Sequence, residues 1–228
     1  LRAMGDFPIV RTTLKDDKGE LIEASKRMPR TEVARFIIND LDSAAIMMQP
    51  TAPDGNRNRL SAPIALLLKS RVALFEGTWL KYFKNTPFVP NGPDWPGAAK
   101  DYNANYQFKA GSIDDESNWF LEQAIEASKA VADQYTLTPN SGILPQSASE
   151  SNEYVEMFGA IDLKPFSEVM LWKACDKGLG VTHNIQVNAS TSNLGIGVTR
   201  GMINSYLLKN GLPYYTEFGE DGGDENIE

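Results

Sequence analysis

The sequence predicts a mainly α-helical chain, built on helical hairpins with irregular loops and a few short strands. Three observations predict it. Residues 30–48 and 61–83 both carry apolar side chains at steps of three and four, the spacing of one helix face. Residues 115–135 repeat that spacing. Between the last two lies a stretch so rich in proline, glycine and asparagine that no regular element fits.

From the start, Phe7-Pro8-Ile9-Val10 reads as a short extended segment, with Pro8 placing it at an edge or a strand start. Asp16-Asp17-Lys18-Gly19 is a turn signal. In 30–48 the apolar positions are Val33, Phe36, Ile37, Leu41, Ala44, Ala45 and Met48. Thr31 is the expected N-cap, and Pro50 stops the run. Pro53-Asp54-Gly55 is a turn. Ser61 caps the second helix, with Pro63 tolerated in its first turn. Ile64, Leu67, Leu68, Val72, Leu74, Phe75, Trp79 and Tyr82 spread so widely around that helix that burial on most sides is expected. Two such helices across a short loop make a helical hairpin.

Residues 85–112 combine turn signals with Phe88, Trp95, Tyr102, Tyr106 and Phe108. Aromatics are unusual in a loop, which normally stays polar and exposed. The third helix follows, with Phe120, Leu121, Ala124, Ile125, Val131 and Ala132 on its apolar face. Asp114, Asp115 and Glu116 stand at its start, where the helix dipole favours anions. Residues 154–160 suggest a short helix, and 168–172 and 183–187 suggest strands. Residues 199–209 suggest a last amphipathic helix closed by Asn210-Gly211. The expected division is a helical core over 1–140, then a loop and short-strand region over 141–228 with one helix and a flexible acidic tail.

The 228 residues carry 30 acids and 22 bases, a formal charge of −8. Six acids crowd the last dozen residues, leaving a nearly neutral body of 24 acids and 22 bases. With no basic stripe, a nucleic-acid partner is not expected. No run approaches the roughly 18 apolar residues of a membrane span. Leu1-Arg2-Ala3-Met4-Gly5 does not read as a signal peptide or a natural beginning; the chain is expected to be processed or cut from something longer. One cysteine, Cys175, excludes an internal disulfide and CxxC metal sites; one histidine, His183, excludes His-cluster zinc sites. No cofactor or metal is expected, and hydrolase chemistry is poorly supported. Gly195-Ile196-Gly197-Val198-Thr199-Arg200-Gly201 fails the dinucleotide pattern at Arg200 and lacks a βαβ setting. The adjacent acids 114–116 are not the separated carboxylate pair of a glycosidase.

Residues 65–82, ALLLKSRVALFEGTWLKY, closely resemble the most recurrent segment of SusD/RagB-like proteins. Gly5-Asp6-Phe7-Pro8-Ile9-Val10, Arg27-Met28-Pro29-Arg30 leading into Ile37-Ile38-Asn39-Asp40-Leu41-Asp42, Glu168-Val169-Met170-Leu171-Trp172 and Leu207-Leu208-Lys209-Asn210-Gly211-Leu212-Pro213 resemble further landmarks in family order. The resemblance spans nearly the whole chain. It implies a tetratricopeptide-like helical scaffold, a label that rests on the family because the standard repeat signature is not readable here. It also implies a non-catalytic glycan-binding protein of the cell outer membrane, surface-exposed, capping a SusC-like TonB-dependent transporter in polysaccharide utilisation and nutrient uptake. Such a lipoprotein is attached only through a lipid anchor that this chain does not contain.

Two candidate ligand sites follow. In the aromatic loop, Trp95, Tyr102 and Tyr106 would cover the apolar faces of a sugar while Asn105 and its neighbours take the hydroxyls. The competing reading is that these rings pin the loop to the helices. The second site is 177–200, polar and glycine-rich, where His183 and Asn184 are the candidates; His183 also reads as a simple hydrogen-bonding strand residue. The different-class alternative to glycan binding is a helical-repeat protein–protein interaction module without a sugar site.

Overall fold

A computed structural model describes residues 1–143, 150–182 and 199–218 of the chain. Its contacts divide into two compact units, Leu1–Ala174 and Cys175–Glu228. The expected strand at 183–187, the stretch 195–198, His183, Asn184 and the acidic tail beyond residue 218 lie outside the described residues.

The first unit is mainly helical. β1 (Phe7–Pro8) and β2 (Arg27–Met28) form a short antiparallel pair, Phe7 opposite Met28. Between them the expected turn at 16–19 is instead the start of α1 (Lys18–Ala24). The Asp17 side chain accepts from the Glu20 N–H at 2.8 Å, satisfying a donor that the first helical turn leaves free. Three long helices follow: α2 (Arg30–Met47), α3 (Ala62–Tyr82) and α4 (Ile113–Ala132). They run antiparallel in sequence. The first residue of α2 reaches Glu76 late in α3, and Gly77 of α3 meets Ser117 early in α4. The two helices of the expected hairpin therefore form and pack.

The helix starts differ in detail from expectation. Pro29, not Thr31, occupies the N-cap of α2, and the Thr31 hydroxyl is paired with Tyr106. Ser61 holds the N-cap position of α3 without a side-chain cap bond. Ser112 caps α4 by accepting from the Asp115 N–H at 3.1 Å.

The larger correction concerns α3. Its buried residues are Pro63, Ala65, Lys69, Ser70, Ala73, Glu76, Gly77 and Leu80, while Leu67, Leu68, Leu74 and Tyr82 are exposed. The reason is how closely α3 approaches α4. A Cβ on Gly77 would stand 2.9 Å from Leu121 Cγ and 3.1 Å from the Ser117 carbonyl oxygen. Small residues line this seam so that the helix backbones can approach, and the Ser117 hydroxyl donates across it to the Gly77 carbonyl at 2.7 Å. The bulky side chains are turned to the far side. The core beside the seam is Ala34, Ile38, Ala73, Leu80, Val89, Phe120 and Ala124.

α5 (Glu153–Gly159) matches the short helix expected at 154–160, and Asn152 caps it by accepting from the Tyr154 and Val155 N–H groups. The strand expected at 168–172 is not formed. The Arg57 guanidinium, on a backbone with φ +56°, instead takes the carbonyls of Leu163, Lys164, Phe166, Ser167 and Val169. The Trp172 N–H donates to the Arg57 carbonyl at 3.1 Å and its indole N–H to the Asn56 carbonyl at 2.7 Å. Within 168–172 the Val169 carbonyl is thus engaged by the guanidinium and the Trp172 N–H by the Arg57 carbonyl, groups a strand ladder would use.

In the second unit α6 (Arg200–Asn204) is capped by Thr199 and ends well before residue 209. The chain then folds back: Leu207 bridges Pro213, and the Leu208 N–H donates to the Leu212 carbonyl at 2.8 Å. Asn210-Gly211, expected to close a helix, forms this turn instead, with Gly211 at φ +82° supplying the left-handed backbone. α7 (Tyr215–Phe218) follows.

Candidate functional site

The first unit contains a cleft of about 370 Å³. It lies where the segment before β1, the strand β2, the end of α3 and the aromatic loop converge. Gly5, at φ +64°, turns the chain so that Asp6 faces the start of α2. The Asp6 carboxylate accepts from the Arg30 backbone N–H and from the Trp95 indole N–H, each at 2.9 Å. Burial pushes the Asp6 carboxyl above its usual range, while the bond from Arg30 and then that from Trp95 pull it back.

Behind Asp6 lies a buried ion pair. Arg30 Nε and Nη2 donate to the two oxygens of Glu76, both at 2.8 Å, and neither side chain reaches solvent appreciably. The guanidinium also lies 4.2 Å from the centre of the Trp79 ring. Burial raises the Glu76 carboxyl and Arg30 opposes that shift. A second pair repeats the plan: Arg35 donates to both oxygens of Glu116, at 2.6 and 2.9 Å, with its guanidinium 3.6 Å from the Trp119 ring centre. Glu116 also accepts from the Ala110 N–H at 2.9 Å, tying the end of the aromatic loop to α4. This carboxylate is thus an interior partner as well as an N-terminal acid. These four charged residues were missed as structural anchors in the sequence. The signal was present: Glu76 shares a helix face with Ala73 and Leu80, Glu116 with Phe120 and Ala124, and Arg30 with Ala34 and Ile38. A charge on an apolar stripe calls for a buried partner.

The aromatic loop is folded onto the helices by its own chemistry. Asn85, Asn91 and Asp94 take left-handed backbone, which their short polar side chains tolerate. The Trp95 ring lies over Gly97, where a Cβ would come within 2.1 Å of it. Trp95 is only 5% exposed. Tyr106 packs 6.0 Å from Trp95, its hydroxyl is engaged with Thr31, and burial raises its phenol above the ordinary range. Both residues have spent ring and polar handle on the scaffold. These contacts are the ones the loop-pinning reading expects; Trp95 is buried and Tyr106 partly buried. Tyr102 is half-buried and its hydroxyl accepts from the Arg27 N–H at 3.3 Å; Asn105 is exposed. Trp95 lines the cleft wall, and Tyr102 braces the strand that carries Arg27 at the rim. The exposed aromatic of the cleft is Phe88, 60% accessible, its ring edge-to-face with Phe83 at 5.8 Å. Its backbone carbonyl accepts from the Trp79 indole N–H at 3.1 Å, which fixes its position.

A second concavity, a groove of about 420 Å³, is lined by Leu60, Ile64, Leu67, Leu68, Met170 and Leu171, with Arg71 and Glu168 at its edges. Among the described residues no group of three or more His, Cys, Asp or Glu side chains is placed to hold a metal ion. Among the described residues no helix is long and apolar enough to cross a membrane. Compared with known proteins, the chain matches no family model, no curated protein and no solved structure.

Proposed function

We propose that the chain is part of a SusD/RagB-like, non-catalytic glycan-binding lipoprotein of the outer-membrane surface, which passes oligosaccharides to a SusC-like TonB-dependent transporter. In this reading α2 and α3 form one tetratricopeptide-like hairpin and α4 stacks on it. The five sequence landmarks in family order motivate the proposal. The observation that carries it is the cleft, in which an exposed aromatic, Phe88, stands beside Asp6 and Arg27 in about 370 Å³. That is within the usual range of ligand pockets, roughly 300–1,000 Å³. An apolar ring face with directed polar groups around it suits a sugar, whose C–H face stacks while its hydroxyls hydrogen-bond. Tyr102 and Asn105 would extend the contact along the loop.

The test is affinity electrophoresis of the full chain through gels carrying different polysaccharides. At least one should retard the wild type, and Phe88→Ala together with Tyr102→Ala should abolish that retardation while the variant keeps a cooperative unfolding transition. Retardation that survives both substitutions removes this cleft as the site. The groove along Leu60, Leu67, Leu68 and Leu171 favours the second reading, a helical-repeat module docking a protein partner. A wild type that no polysaccharide retards decides between them in its favour.

A further inference from the structure

We infer that the Phe88 cleft takes a saccharide carrying a negative charge, a uronate or a sulfated sugar, in preference to a neutral one. This deepens the glycan reading and rests on it.

The inference comes from which charges at the cleft are already committed. Asp6 has its carboxylate held by the Arg30 N–H and the Trp95 indole. The Arg30 guanidinium is held in bidentate fashion by Glu76. Two further arginines line the cleft, Arg2 and Arg27. Both are exposed, and among the described residues neither guanidinium is in an ion pair. Arg2, Arg27 and Arg30 line the cleft against Asp6, and with Glu76 behind Arg30 these five residues carry one net positive charge, on a chain whose formal charge is −8. The excess is local, against the sign of the whole molecule.

Arg27 is also mounted firmly. Its backbone N–H donates to the Tyr102 hydroxyl at 3.3 Å, its carbonyl accepts from Asn103 Nδ2 at 3.3 Å, and β2 pairs with β1 at this residue. The Arg27 guanidinium, whose charge also reaches Asp6 without forming an ion pair with it, stands at the cleft on a fixed backbone, and its planar fork matches the two oxygens of a carboxylate or sulfate. Phe88 beside it supplies the apolar face for the ring that bears the anion.

The test measures retention of the full chain on four polymers: polygalacturonate, its methyl ester, dextran sulfate and dextran. Each anionic polymer is paired with an uncharged counterpart. A chain of net charge −8 is repelled by a polyanion as a whole, so retention must come from a local site. Retention by polygalacturonate or dextran sulfate, weakened about tenfold to hundredfold by Arg27→Ala, is the expected result. Which of the two polymers binds identifies carboxylate or sulfate. Equal retention by each uncharged counterpart overturns the inference while leaving glycan binding intact. So does an Arg27→Ala variant that binds the anionic polymer as the wild type does. No retention by any of the four, with none by the wider panel above, takes down the glycan reading itself. The Arg27 side chain is exposed and its scaffold bonds are made by the backbone, so Arg27→Ala should melt with the wild type. Arg2→Ala provides an independent variant.

Discussion

Replacing Glu76 by Ala strands a guanidinium inside the protein. In the native fold Arg30 makes two 2.8 Å bonds to Glu76, with side-chain exposures of 4% and 0%. Removing one member of such a pair costs about 3–5 kcal/mol, because the remaining charge is buried without a counter-ion. The Trp79 ring, 4.2 Å from the guanidinium, still offers some compensation, so the lower end, about 3 kcal/mol, is expected. At about 2–4 °C per kcal/mol for a chain of this size, Tm should fall by about 6–12 °C. The assay is urea unfolding followed by tryptophan fluorescence. All four tryptophans, Trp79, Trp95, Trp119 and Trp172, lie in the unit Leu1–Ala174, so the signal reports that unit. The double variant Arg30→Met, Glu76→Leu replaces the pair by apolar groups of similar length and should return to within about 1 kcal/mol of the wild type. A Glu76→Ala variant that loses less than about 1 kcal/mol, or a double variant as unstable as the two single changes summed, would refute this account of the pair.

Two further outcomes follow from groups described above. Arg57→Ala releases the carbonyls of residues 163–169, and limited proteolysis should then cut within 163–172 much faster than in the wild type; an unchanged cleavage pattern would show that the guanidinium does not hold this segment. Asp6 has a folded-state pKa raised above the ordinary 3.8, chiefly by burial. A raised acid favours the folded state while protonated, so its contribution is present below the unfolded pKa and is lost as pH rises through the folded one. Relative to Asp6→Asn, the wild type should therefore lose stability on going upward from below pH 3.8, with the difference levelling off above the raised pKa; a difference that grows in favour of the wild type over that interval contradicts the assignment.

The long helices were legible because their periodicity is a local property, and 30–48, 61–83 and 115–135 correspond to α2, α3 and α4 within a few residues. What periodicity did not reveal is which side of α3 faces inward. Leu67, Leu68 and Leu74 look like a core stripe, but hydrophobicity alone does not register that Gly77 and Ala73 permit closer backbone packing than leucine does. The strand expected at 168–172 failed for a different reason: Val169 and Trp172 satisfy local propensity, while their backbone groups are engaged by a residue more than a hundred positions away, Arg57, which takes the Val169 carbonyl and accepts from the Trp172 N–H. At the cleft, the sequence singled out the aromatic loop correctly as unusual. It could not separate rings that build the loop, Trp95 and Tyr106, from the one that faces outward, Phe88, because that distinction depends on contacts with Asp6 and Thr31 far away in the chain.

The Arg57 clamp reads only main-chain oxygens, so it is indifferent to what residues 163, 164, 166, 167 and 169 carry beyond Cα. The path of this segment is thus decoupled from its own side-chain identities. Those positions are free to vary in character, and at one of them, Val169, a change would re-dress the wall of the neighbouring leucine groove at little conformational expense, so long as one arginine stays where it is.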